Sequence, residues 1–112
     1  MHTSARDIRD TDWSQVVALY DQLIRLDPSP IIALNRAIAV AELDGPDVAL
    51  AAVDSLEDKL AGYHAYHATR ADLLRRLDRR EEAAAAYRAA LALTTTDAEA
   101  RYLRRRLEET LT

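Results

Sequence analysis

A chain of 112 residues, 49% apolar and 30% charged, has material for one small core under a well-solvated surface and is short for two domains. The absence of Cys excludes a disulfide framework, thiol chemistry and Cys-based zinc sites, and a net charge of −4 weighs against the whole domain as a nucleic-acid binder. No run of about 18 apolar residues is present to span a membrane, and the polar start Met1-His2-Thr3-Ser4 lacks the apolar centre of a secretory signal, so a cytoplasmic location with no membrane partner is expected.

Ala and Leu, both strong helix formers, dominate, and only two Gly and three Pro interrupt them. The composition predicts an all-α fold. Residues 1–11 alternate in charge and read as a linker or disordered arm, with one helical domain over 12–112. Asp12 can cap a helix that opens at Trp13. Val16, Val17, Tyr20, Leu23, Ile24 and Leu26 continue it as a wide apolar stripe. Asp27-Pro28-Ser29-Pro30 ends that helix, because the residue before a proline is pushed out of the α region. Ser29 can cap the next helix, with Pro30 in its first position and Ile31, Leu34, Ala37, Ile38 and Ala41 facing inward. Asp44-Gly45-Pro46-Asp47 is a turn by composition. Val48, Leu50, Val53 and Leu56 carry a further helix, and residues 57–62 are expected as a looser connection.

Tyr63-His64-Ala65-Tyr66-His67 leads into a central unit over 69–93, read as a helix, a short polar break and a second helix. Its second half sets Ala83, Tyr87, Ala90 and Leu91 at helical spacing, with small residues where two helices would approach most closely. Thr94-Thr95-Thr96-Asp97 then breaks and caps, and 98–111 forms a last helix with Tyr102, Leu103, Leu107 and Leu111 on one face and arginines on the other. A shift of 34 positions places Arg70-Ala71 on Arg36-Ala37, Leu77-Asp78 on Leu43-Asp44 and Ala83 on Ala49. A period of about 34 residues with helical hairpins is the tetratricopeptide pattern. The expected architecture is tetratricopeptide-like: antiparallel helical hairpins, about six helices, in a short right-handed solenoid. In the same register the first helix, closing at Pro28, matches the second helix of a hairpin; a first-helix reading through Trp13 and Tyr20 is the alternative, but it leaves Pro28 misplaced. Trp13, Val16 and Tyr20 would then be partly bare and open to a second copy of the chain.

Chemistry is sparse. No nucleophile-elbow glycine motif and no Gly-rich phosphate loop appear, so neither an enzyme nor a cofactor site is expected. His64 and His67 share a helix face at a spacing that can hold a metal, but no third ligand accompanies them, and packing or hydrogen bonding is the simpler role. No metal is expected. The residues singled out for contact with a protein partner are Asn35, Arg36, Tyr63, His64, His67 and Arg70. Arg36 and Arg70 stand one repeat apart and could grip carboxylates from a concave surface. Local ion pairs to Asp21, Asp44 or Asp72 are the competing role. Arg101, Arg104, Arg105 and Arg106 could touch phosphate or, paired with Glu99, Glu108 and Glu109, form a solvated capping face.

Three stretches resemble a specific family. They are Asp12-Trp13 with Leu19-Tyr20-Asp21; Pro28-Ser29-Pro30 through Leu34-Asn35-Arg36-Ala37, with Gly45-Pro46; and Tyr63-His64 with His67-Ala68-Thr69-Arg70-Ala71-Asp72-Leu73-Leu74. Together they resemble the C-terminal tetratricopeptide-like extension of a subgroup of bacterial extracytoplasmic-function (ECF) RNA polymerase sigma factors. The likeness covers residues 12–111. The family usually has Gly where this chain has Asp78. The resemblance implies a regulatory, protein-binding domain that modulates sigma activity in transcription initiation. Its partners would be the sigma regions 2 and 4 or RNA polymerase. This chain contains neither region, so it should not itself recognise a promoter. The alternative is a stand-alone tetratricopeptide scaffold that binds an acidic peptide or a C-terminus.

Overall fold

The computed structural model describes residues 12–112, and the arm expected over 1–11 lies outside the described residues. Seven helices follow in order: α1 (Trp13–Leu26), α2 (Pro30–Asp44), α3 (Pro46–Asp54), α4 (Glu57–Leu60), α5 (His64–Arg76), α6 (Arg80–Leu93) and α7 (Asp97–Leu111). The described residues contain no strand.

Helix starts are set by short polar side chains that satisfy the otherwise unpaired first amides. Asp12 Oδ1 accepts hydrogen bonds from the backbone N–H groups of Ser14 (3.2 Å) and Gln15 (3.4 Å). Ser29 Oγ does the same for Ile31 and Ile32, with Pro30 in the first turn. At α7 the cap is Thr96 rather than Asp97. Its Oγ1 accepts from the Glu99 N–H, while the Glu99 carboxylate accepts from the hydroxyls of Thr94 and Thr96. This reciprocal arrangement moves the start of the helix one residue ahead of the expected 98.

Breaks need unusual backbone. Gly45 ends α2 and precedes Pro46 with φ of 102°, a value that disfavours any residue with a Cβ. Between α5 and α6, Asp78 takes φ of 61° without being a glycine. Residues 57–62, expected as a loose connection, hold the single-turn α4 instead. Leu60 is buried, and that burial draws the connection into helix.

Neighbours in sequence are neighbours in space. α1 packs on α2, α2 on α3, α3 on α5, α5 on α6 and α6 on α7. One contiguous core runs through the stack. Small residues occupy the close contacts: Ala37, Ala49, Ala71, Ala83 and Ala90 are fully buried. Tyr66 and Tyr87 fill the larger gaps between helices. No helix of the described residues is long and apolar enough to cross a membrane.

Candidate functional site

The first helix of each successive hairpin, α2, then α5, then α7, contributes one wall of an open hollow of about 250 Å³. α2 supplies Ile38, Ala41 and Glu42; α5 supplies Thr69, Asp72, Leu73, Arg75 and Arg76; α7 supplies Tyr102 and Arg106. Helical spacing explains the choice, since residues three and four apart share a face. The volume suits a few side chains of an extended chain rather than a large cofactor.

Polar groups across the hollow form one network centred on Asp72, with the Arg76–Glu42 pair beside it. Tyr87, reaching up from α6, donates its hydroxyl proton to Asp72 Oδ1 at 2.5 Å and accepts from Arg75 Nε at 3.1 Å. Tyr102 donates to Asp72 Oδ2 at 3.4 Å, and Arg106 Nε donates to the Tyr102 hydroxyl at the same distance. Arg76 bridges to Glu42, its equivalent one repeat earlier, at 3.2 Å, and Arg106 bridges to Glu109 at 3.1 Å. The guanidiniums of Arg105 and Arg106 also lie 5.6 and 5.5 Å from the centre of the Tyr102 ring, within cation–π range. Burial, and then the Asp72 carboxylate that accepts its proton, push the Tyr87 phenol well above its ordinary value. Tyr87 therefore stays a neutral donor and holds Asp72 in place.

Three guanidiniums and two carboxylates line the hollow, and with Glu109 beside Arg106 each guanidinium has one carboxylate neighbour. An arginine has five N–H donors, and each of these uses only part of its set. Their side chains are about one-third exposed, which leaves the remaining donors able to reach a carboxylate.

The six residues singled out from the sequence do not come together in this hollow. Arg36 Nε lies 2.7 Å from Asp21 Oδ1 on α1, and Arg70 Nε lies 2.7 Å from Asp54 Oδ1 on α3. These are one ion pair built twice, tying the first helix of a hairpin to the second helix of the hairpin before it. His67 Nε2 is 2.6 Å from the Ala61 carbonyl, and with Arg70, Asp54, Glu57 and Tyr66 it lines a separate hollow. His64 Nδ1 faces Glu99 at 3.3 Å, and Tyr63 meets the His64 ring edge-on. Asn35 is exposed. The two histidines thus serve different neighbours, and no three metal-binding side chains gather among the described residues. Arg75, Arg76 and Tyr102 are not among the residues the sequence points to for a partner, while Asp72 is expected there only as an ion-pair partner and Arg106 only within the terminal arginine cluster. The available signal was the register itself: Glu42 and Arg76 are 34 apart, and Tyr102 and Arg106 are one turn apart on the next first helix.

No family model matches the chain. Among solved structures, the first tetratricopeptide (TPR) domain of Spaghetti (RPAP3), bound to the HSP90 peptide SRMEEVD, aligns with a TM-score of 0.72 over 88% of this chain and 79% of that one, at 24% identity. The fold is tetratricopeptide-like. Identity at that level speaks for the fold alone. An uncharacterized protein of Rhizobium meliloti (strain 1021) is 44% identical over 108 residues, which is 96% of this chain and 26% of that protein. The chain thus spans about a quarter of the length of the curated relative it matches.

Proposed function

We propose that this chain is a protein-interaction module without catalytic chemistry. Its ligand is an acidic peptide segment or C-terminus, laid along the hollow between α2, α5 and α7. The observation that carries the reading is the lining itself: Arg75, Arg76 and Arg106 beside Tyr102 and the apolar Ile38, on an otherwise acidic chain. Side chains of a bound segment would rest on Ile38 and Leu73 while its carboxylates meet the spare guanidinium donors. The structural neighbour, which binds the acidic peptide SRMEEVD on the same kind of fold, lends support.

Fluorescence anisotropy with labelled SRMEEVD as probe tests this. The free-acid peptide should bind, and a version with both Glu residues and the terminal Asp replaced by Lys should not. Arg76→Glu combined with Arg106→Glu should weaken binding at least about tenfold, equivalent to about 1.4 kcal/mol. Equal binding of the acidic and basic peptides, or no effect of the double variant, would remove the hollow from the account.

A second reading is favoured by the length of the relative, in which a stretch like this one is joined to about three times as much further chain. In that reading the chain is the regulatory tail of an ECF sigma factor in a bacterial cytoplasm, and the ligand is a segment of sigma regions 2 and 4 or of RNA polymerase. It rests on the Pro-Ser-Pro…Leu-Asn-Arg-Ala and Tyr-His…His-Ala strings. Immobilised chain should then retain a purified ECF sigma fragment of regions 2 and 4 or bacterial core RNA polymerase. Retention of neither would discard the sigma reading and leave the peptide reading standing.

A further inference from the structure

The second hollow, of about 280 Å³, is lined by Asp54, Glu57, Tyr66, His67 and Arg70. Tyr66 is only 2% exposed, and its hydroxyl has no hydrogen-bond partner among the described residues. Tyr87, equally buried, spends its hydroxyl on Asp72 and Arg75. A buried hydroxyl without a partner costs free energy, so native chains rarely keep one without a use. The charged groups that act on the Tyr66 phenol are Glu57, Asp54 and Arg70, all in the same lining, so the hydroxyl looks into the hollow. The two acids outweigh the arginine there, and the potential at the hydroxyl is negative.

The neighbouring groups have acceptors to spare. Asp54 Oδ1 accepts the Arg70 Nε–H at 2.7 Å, which leaves Oδ2 free. Glu57 is exposed and has no ion-pair partner among the described residues. Lys59, the only lysine of the chain, lines a different hollow. Two carboxylates against one guanidinium disfavour an anion, and no three metal-binding side chains gather there. An ammonium carries three N–H donors on a compact head, which matches these acceptors. We propose that this hollow binds a primary alkylammonium group, carried by a lysine side chain or by a free amine, between the Glu57 and Asp54 carboxylates and the Tyr66 hydroxyl oxygen. Arg70 is a positioning residue that fixes Asp54.

Amide chemical-shift titrations with Nα-acetyl-lysine methylamide test this, with the norleucine analogue as a control of similar length that lacks the ammonium. The lysine compound should bind with a Kd of about 1 mM and shift Glu57, Tyr66, His67 and Arg70, leaving Ile38, Arg76 and Arg106 unmoved. The norleucine compound should shift none of them. Equal affinity for n-butylamine would assign the site to free amines, and weaker binding of n-butylamine to a lysine within a polypeptide. Glu57→Gln should weaken lysine binding at least about fivefold and leave SRMEEVD binding unchanged. Tyr66→Phe should weaken lysine binding without lowering the stability of the unliganded chain, because the hydroxyl it removes has no bond to lose. Absence of shifts with the lysine compound, equal shifts with norleucine, or a loss of stability in Tyr66→Phe as large as in Tyr87→Phe would overturn the proposal.

Discussion

At one end of the stack α1 turns Leu19, Leu23 and Leu26 to solvent, while at the other α7 turns out Arg101, Arg104 and Arg105. Both are outermost among the described helices, and both pack on a single main neighbour. They differ because the outer side of α7 is charged, whereas the apolar stripe of α1 is wide and includes the exposed Leu19, Leu23 and Leu26. Charged residues keep an outer helix face solvated, so the outward side of α7 suits water and the outward side of α1 does not. The α7 end is also better fastened. Glu99 ties α7 to Thr94 and faces His64, and Tyr102 and Arg106 join it to Asp72, whereas the described polar link from α1 to its neighbour is the Asp21–Arg36 pair.

One core joins the two ends, and the largest expected effect lies between them. Leu74 is fully buried in α5. Leu74→Ala should cost about 3 kcal/mol in urea denaturation and lower both ends in one transition. Separate melting of α1–α3 and α5–α7 would split the molecule into independent units and break the comparison.

A smaller effect should be confined to the α7 end. Tyr87→Phe removes the hydroxyl that holds Asp72 and should cost about 1 kcal/mol at neutral pH. The folded Tyr87 phenol titrates above its unfolded value of about 10. Its contribution is therefore fully present below about pH 10 and is lost as pH rises through the folded value. The wild type should lose stability in alkali, and Tyr87→Phe should flatten that loss. A residual slope is expected from Tyr66, whose phenol is also raised, first by burial and then by Glu57 and Asp54. An unchanged alkaline slope in Tyr87→Phe would contradict the assignment.

The repeated ion pair sharpens the contrast further. Arg36→Ala and Arg70→Ala each break a half-exposed pair and should cost only about 0.5 kcal/mol. Their consequences should differ by position. Arg36→Ala should speed hydrogen exchange in α1 alone, because the pair is the described polar link between α1 and its one main neighbour. Arg70→Ala, between α3 and α5 in the middle of the stack, should leave exchange nearly uniform. Neither should alter SRMEEVD binding by more than about twofold, about 0.4 kcal/mol. The smallest expected effect is a gain. Asp78→Gly relieves a left-handed backbone and should add a few tenths of a kcal/mol, since the Arg80 contact that it removes is largely exposed.

Much of this fold was legible beforehand. Asp12, Ser29 and Pro30 mark helix starts by chemistry that acts within one turn. Gly45-Pro46 marks a break in the same local way. The 34-residue shift gave the hairpin order, and Pro28 identified α1 as a second helix. The interaction surface was harder to read, for a definite reason. A repeat register says that Arg36 and Arg70 are equivalent without saying which way they point. Their equivalence arises from the matched Asp21 and Asp54, which lie on second helices 15 and 16 residues away in sequence. The hollow depends on three first helices meeting across the stack, with Tyr87 rising from a fourth, and no local pattern records that meeting. The α4 turn was missed because its four residues are too few for a periodic signal, and only the burial of Leu60 accounts for it.

The most direct measurement is amide chemical-shift mapping of the isotope-labelled chain titrated with SRMEEVD. The account predicts that shifts concentrate on Ile38, Glu42, Arg75, Arg76, Tyr102 and Arg106. Shifts centred on Arg36, Arg70 and His67, or on the outer face of α1, would contradict it.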